Sequence, residues 1–388
     1  MSTKLLKNIA VAIEKKQKKL FTYPVKKQET YVAHFKEPKD GIERGYFQYR
    51  CQMKLYGMFL HILLNMAALP LSMAYLIRYS HTSNCFNYEV DAVFFDDGKP
   101  FNIIPDSVQQ KYKDIITLSS DEKKLNKFDR KFLRTVFKRY PFSWMLWLKL
   151  IIKVAQYSSA LTRYTPQAVI SCSEFSYTSP ILTEYCHARG VKLVNVMHGE
   201  KLYDMRDSFS KYDEFYVWSE EYAYLLCDLR ADKKQFRIEI PQALRINKTC
   251  DVEVKYDYTY YLADENEVTL NKIAEELNRL YRAGRRISIR PHPRYSDLKL
   301  VNRHLGFANI ENVRVVTIEQ SLLQTKAAIS LFSTVLNQAS CNFIPIIIDD
   351  VSNPMFFEKL KELRYVCLNR EHQLLSHITY GIDEKKEK

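Results

Sequence analysis

No CxxC pair occurs anywhere in the chain: eight cysteines stand singly at 51, 85, 172, 186, 227, 250, 341 and 367. With 388 residues and 46% hydrophobic residues there is material for two cores, so a reducing compartment is expected rather than a secreted disulfide scaffold. The same spacings assemble no zinc site. Zinc-finger spacing, an RNP-type aromatic strand and basic-zipper heptads are all missing, which argues against a nucleic-acid partner. The first residues hold no short apolar run ending at a small-residue cleavage site, so no signal peptide is expected. There is no solenoid-period repeat, and no low-complexity tract beyond the lysine-rich ends.

Positive charge is abundant. The formal net charge is +13, and residues 1–54, read as a basic N-terminal segment, hold 13 basic against 5 acidic residues. This concentration favours an anionic surface such as phospholipid headgroups. Just beyond it, Leu55 to Ile77 runs without a formal charge, long enough to span a bilayer but interrupted by His61, Asn65, Pro70 and Ser72. Three readings stay open for 55–77: a buried or groove-lining helix pair, an interfacial helix on the membrane surface, and a true span.

From residue 86 onward short apolar strands alternate with helix-period segments, the pattern of parallel-sheet α/β architecture. Strands are expected at 88–95, 167–173, 192–198, 214–219 and 237–240, then at 258–264, 285–290, 313–316, 327–332 and 344–349. Helices are expected at 143–164, 179–190, 267–284, 319–325 and from Thr334. The restart after a junction near 241–256 predicts two domains, 55–245 and 250–388.

Ligands of open α/β sheets bind beyond the carboxyl ends of strands, and four such ends carry reactive groups. Asp96-Asp97-Gly98 follows the first strand; it reads as a common turn or as a carboxylate placed to act as general base. His198-Gly199-Glu200 follows the third, as a turn or as part of the site, and Glu174 ends the second as a reserve base. Pro291-His292-Pro293-Arg294 follows 285–290: two prolines stiffen the loop, and Arg290 and Arg294 would suit phosphate oxygens, although a solvated exit turn fits equally well. Ser333-Thr334 caps a helix whatever the protein does, yet a helix N-terminus after a strand is also a phosphate site.

"FFDDG", "RPHPR" and "LFSTVLNQAS", in that order, resemble the acidic-Gly, His-Pro and Ser-Ser/Thr motifs of bacterial sialyltransferases, polysialyltransferases and capsule Kdo transferases. The resemblance covers roughly residues 86 to 350. It implies a GT-B type fold, two Rossmann-like domains facing a central cleft, with 55–245 on the acceptor side and 250–388 binding the nucleotide sugar. It implies a CMP-activated sialic acid or Kdo-like sugar as donor, a glycan or glycolipid of capsule or lipooligosaccharide as acceptor, and neither metal nor cofactor. Asp97 or Asp96 would deprotonate the acceptor, and His292 would contact the leaving phosphate. Pro293, Arg290, Arg294, Ser333 and Thr334 would line the donor site, together with His198 and Gly199, which resemble a His-Gly element of surface-polysaccharide transferases. One departure concerns Val335-Leu336-Asn337-Gln338-Ala339, where an amide stands in place of the family's carboxylate. The implied location is cytoplasmic, peripheral at the inner face of the bacterial inner membrane. Alternatives are a CDP-glycerol or CDP-ribitol polymerase-like transferase, and a non-catalytic scaffold that binds a nucleotide sugar.

Overall fold

Four-residue runs such as Ala92–Phe95 and Ala168–Ser171 are buried along their whole length, which strands achieve only with both sheet faces covered, as in parallel sheets flanked by helices. The computed structural model describes residues 23–79, 88–118, 123–246 and 252–383. The lysines before residue 23, Cys85, Cys250 and the lysine-rich tail lie outside the described residues.

The chain divides into two units, residues 1–198 with 203–241, and residues 199–202 with 242–388. Unit 1 holds β1 (Ala92–Phe95), β2 (Ile115–Leu118), β3 (Ala168–Ser171), β4 (Lys192–Val196), β5 (Glu214–Val217) and β6 (Phe236–Ile238). All are parallel, in the order β2-β1-β3-β4-β5-β6. Unit 2 holds β7 (Tyr256–Tyr261), β8 (Ile287–Arg290), β9 (Asn309–Ile310), β10 (Thr325–Ser330), β11 (Ile346–Ile348) and β12 (Gln373–Leu374). These are also parallel, in the order β12-β11-β10-β7-β8-β9. The first order is flavodoxin-like with one strand added; the second is the dinucleotide-binding order. Two Rossmann-like α/β domains are thus present, the domain content of the GT-B type.

Amphipathic helices cover the sheets. The helix Glu267–Arg282 buries Leu270, Ile273, Leu277 and Leu280 in one cluster with Ile287, Ile289 and Ile329. In unit 1 the helix Lys127–Arg139 opens with a reciprocal capping box between Asn126 and Asp129. The helices Val25–Ala33 and Gly41–Tyr56 pack on unit 1, where Val32, Phe47 and Cys51 meet Met205 and Phe209.

Residues 313–316, expected as a strand, form a turn: Val315 and Val316 both donate their N–H to Asn312 O, and Val315 is 72% exposed. The strand at that place in the sheet is Asn309–Ile310. The edge strands Ile115–Leu118 and Gln373–Leu374 were not expected. The segment 55–77 forms most of one helix, Met58–Arg78, running through Pro70 with only Ala68 and Ser72 buried. The buried alternative for this segment is therefore overturned: the helix packs on Trp144–Tyr164 along one side and exposes the other.

Candidate active site

A sheet reverses its winding where neighbouring strands send their connections to opposite sides, and the crevice beyond that point takes the ligand. In unit 1 it lies between β1 and β3, in unit 2 between β7 and β10. Asp96-Asp97-Gly98 leaves β1, and Ser333-Thr334 follows β10.

In unit 1, Asp97 and Gly98 have φ of 44° and 79°, and Lys99 N–H donates to Asp96 O at 2.8 Å. Such a tight turn suits Asp-Gly, since both central residues take left-handed conformations. The turn and the catalytic reading are therefore compatible: the turn puts the exposed Asp97 side chain over the crevice. Ser173 at the end of β3 donates its hydroxyl to Asp97 Oδ2 at 3.2 Å. Asn195 on β4 accepts from Ser173 N at 3.0 Å and from Ser171 Oγ at 3.1 Å, fixing that loop. Cys172 lies beneath, its thiol pushed up to about 12 by burial and then by the charges of Glu174 and Asp97. It stays a thiol at neutral pH.

Glu174 and His198, read separately from the sequence, come together. Glu174 is 1% exposed and accepts from His198 N at 3.0 Å, and His198 Nδ1 lies 2.8 Å from its other oxygen. An imidazole this close to a buried carboxylate can serve as a base.

In unit 2 the loop after β8 holds His292 tightly. Its N–H donates to Ser296 Oγ at 2.8 Å, Arg294 N–H donates to its Nδ1 at 3.1 Å, and Tyr295 stacks on its ring at 4.5 Å. Since Nδ1 accepts, the neutral ring carries its proton on Nε2. Burial and then the Arg294 charge hold this imidazole below the usual histidine range, so at neutral pH it is an N–H donor without a charge. Pro293 and Arg294 are exposed on the same loop. Arg290 is committed elsewhere: it pairs with buried Glu311 at 2.7 Å and donates to Val316 O at 3.0 Å.

Ser333 caps the helix Thr334–Cys341 by accepting from Val335 N, and Thr334 is exposed at its first turn. Asn337, one turn on, is fully buried; its amide N–H donates to Glu200, and its carbonyl accepts from Arg370 at 2.9 Å. The amide of Asn337 thus meets the carboxylate of Glu200, which with Gly199 belongs to unit 2, whereas His198 belongs to unit 1. Sequence reasoning missed this pairing, whose partners lie 137 residues apart.

It also missed Glu265, at the end of β7 and so at the switch point itself. Both its oxygens accept from Ala263 N at 2.8 Å, yet burial pushes its carboxyl up to about 7. Its signal was position: an acid just past a strand. Among the described residues no group of three or more His, Cys, Asp or Glu is placed to hold a metal ion. A cavity of 570 Å³ lined by Phe343, Pro345, Glu371 and His372 opens at the amino ends of β11 and β12, the wrong end of the sheet for the expected chemistry.

No protein-family model and no curated protein matches this sequence. Among solved structures the chain is similar to UDP-GlcNAc 2-epimerase from Neisseria meningitidis bound to UDP-GlcNAc (10% identity, 78% of this chain and 92% of that one, TM-score 0.43). It is also similar to the wall teichoic acid polymerase TagF (10%, 87% and 91%, 0.40) and to the lipopolysaccharide outer core galactosyltransferase WaaB (13%, 77% and 95%, 0.38). Likenesses this distant leave the chemistry to be read from the chain's own residues.

Proposed function

We propose that the chain is a glycosyltransferase that moves a sialic acid or Kdo-like sugar from its CMP donor to a hydroxyl of a surface glycan or glycolipid. The observation that carries this reading is positional: the Asp96-Asp97 turn and the Ser333-Thr334 helix start occupy the switch points of two separate parallel sheets, with a neutral His292 one strand from the second. Asp97 takes the proton of the acceptor hydroxyl, whose oxygen bonds to the anomeric carbon as the bond from that carbon to the phosphate breaks. The electron pair leaves with CMP. His292 Nε2–H and the N-terminus of Thr334–Cys341 receive the phosphate charge, as donors fixed before the reaction do most effectively.

The Glu174–His198 pair supports a second reading of the base, in which His198 takes the proton. Transfer by Asp97→Asn against transfer by His198→Ala separates the two, since only the variant lacking the base loses the chemical step.

Donor identity is tested by thermal stabilisation of the purified protein with CMP, CDP, UDP and GDP, where a ligand at 100 times its Kd adds about 2.7 kcal/mol. CMP is expected to stabilise most. A preference for UDP or GDP keeps a transferase and replaces its donor; a preference for CDP with phosphodiester products indicates a polyol-phosphate polymerase. Indifference to all four indicates a scaffold.

A further inference from the structure

Residues 44–88 contain four Lys and Arg and no Asp or Glu, and residues 130–173 contain eight and none. Together these two acid-free stretches carry twelve Lys and Arg. The fold packs them together, setting the helix Met58–Arg78 against Trp144–Tyr164, with Lys127–Arg139 alongside. Arg130 donates to Leu76 O at 2.7 Å, and Asn65 bonds Phe142 O and Met145 N.

The outer face of Met58–Arg78 is apolar and bare. Phe59, Ile62, Met66, Met73 and Ile77 are each more than half exposed, and Phe142 beside Asn65 is 78% exposed. Such a patch on a soluble surface marks an interaction site. Its chemistry limits the partner: Arg139 is held by Asp40 and Glu43, and Arg44 by Glu37, but Lys54 and Arg78, beside the two ends of the helix, are exposed, and such cations repel a basic surface and attract phosphates.

We propose that Met58–Arg78 lies in the plane of an anionic phospholipid surface, its exposed face among the acyl chains and the cations beside it against headgroup phosphates. The helix is long and apolar enough to span, but one side is fastened to a helix carrying Lys149 and Lys153. A span would draw both ammonium groups into the hydrocarbon, whereas an in-plane helix keeps them out of it. Lys149 is turned inward, its ammonium 4.1 Å over the ring of buried Tyr177.

The test is co-sedimentation of the whole protein with vesicles of phosphatidylcholine, with and without about a third of phosphatidylglycerol. Binding is expected to the anionic vesicles and is expected to weaken in ~1 M salt, where the screening length falls to ~3 Å. The paired substitutions Ile62→Glu and Met66→Glu, both at exposed sites, should lower it by about tenfold or more. Lys54→Glu with Arg78→Glu should lower binding to anionic vesicles alone. An unchanged melting temperature in each variant shows that the fold is intact. Equal binding to both vesicle types, no binding by the wild type, or wild-type binding by the Ile62/Met66 variant overturns the proposal. So does a dimer in solution that these glutamates dissociate, which would put a second copy on the face, or resistance to alkaline carbonate extraction, which would make the helix a span. No sugar donor enters the measurement, so the proposal stands or falls apart from the transferase reading.

Discussion

Asp97 occupies a left-handed conformation that asparagine tolerates as well as aspartate does, so its chemistry can be removed without unmaking its turn. Asp97→Asn is expected to leave the melting temperature and nucleotide binding unchanged while lowering transfer by about 10²-fold or more, as loss of a general base does; a product assay beside a thermal shift reads both. Glu265 gives a pH signature. Its carboxyl titrates near 7 in the folded chain against an ordinary value of 4.5, so the folded state binds the extra proton, and stability present below pH 4.5 is lost as pH rises through 7. Melting temperatures should fall across that window, and Glu265→Gln should flatten the decline. His292 has the opposite sign. Held below the usual histidine value, it favours the folded state above that value, and the contribution is lost as pH falls through its folded pKa. Protonated Nδ1 can no longer accept from Arg294 N–H, so His292→Gln should reduce the loss of stability on the acid side.

Ser333 caps its helix and in the proposed function also meets the donor phosphate, and substitutions can divide the two. Ser333→Ala removes the cap on Val335 N and should cost about 1 kcal/mol. Ser333→Asp keeps a capping acceptor but sets a negative charge where the nucleotide phosphate is expected, so stability should hold while nucleotide affinity falls by more than in the alanine variant. At the helix Lys127–Arg139, Asp129 is fully buried, accepting from Ser158 at 2.6 Å and Tyr185 at 2.7 Å, with Arg189 at 3.5 Å. Asp129→Ala would strand these partners and should cost about 3–5 kcal/mol in denaturant unfolding. Elements of this kind were legible where period and punctuation agreed: the helix 267–284 ends at Arg282, and Gly190 sits at φ 72° three residues past the helix Ser179–His187. Legibility failed where an apolar run had no second sheet face to fill, as at Val315, and at short edge strands, whose pairing depends on partners far away in sequence. At the candidate site, Asp97, His292 and Ser333 do follow the carboxyl ends of parallel strands, as expected from the sequence. Strand-end position could not find that Arg290 is consumed by Glu311, or that Glu200 meets Asn337, since both depend on which distant segments the fold brings near.

At the scale of the molecule, the two units are wound in different strand orders, so each was read correctly as Rossmann-like and neither is a copy of the other. Their boundary is not one cut. Residues 199–202 leave unit 1 to join unit 2, and the chain then returns to build β5 and β6 before crossing again after Pro241. Domains tend to fold in the order in which they are synthesised. Here Glu200 emerges with the first unit and must wait for Asn337, 137 residues later, before its carboxylate meets the buried amide. A gene split at residue 241 would therefore make a second fragment short of one of its own parts, and adding residues 199–202 back as a peptide is a direct way to ask how far that fragment depends on them.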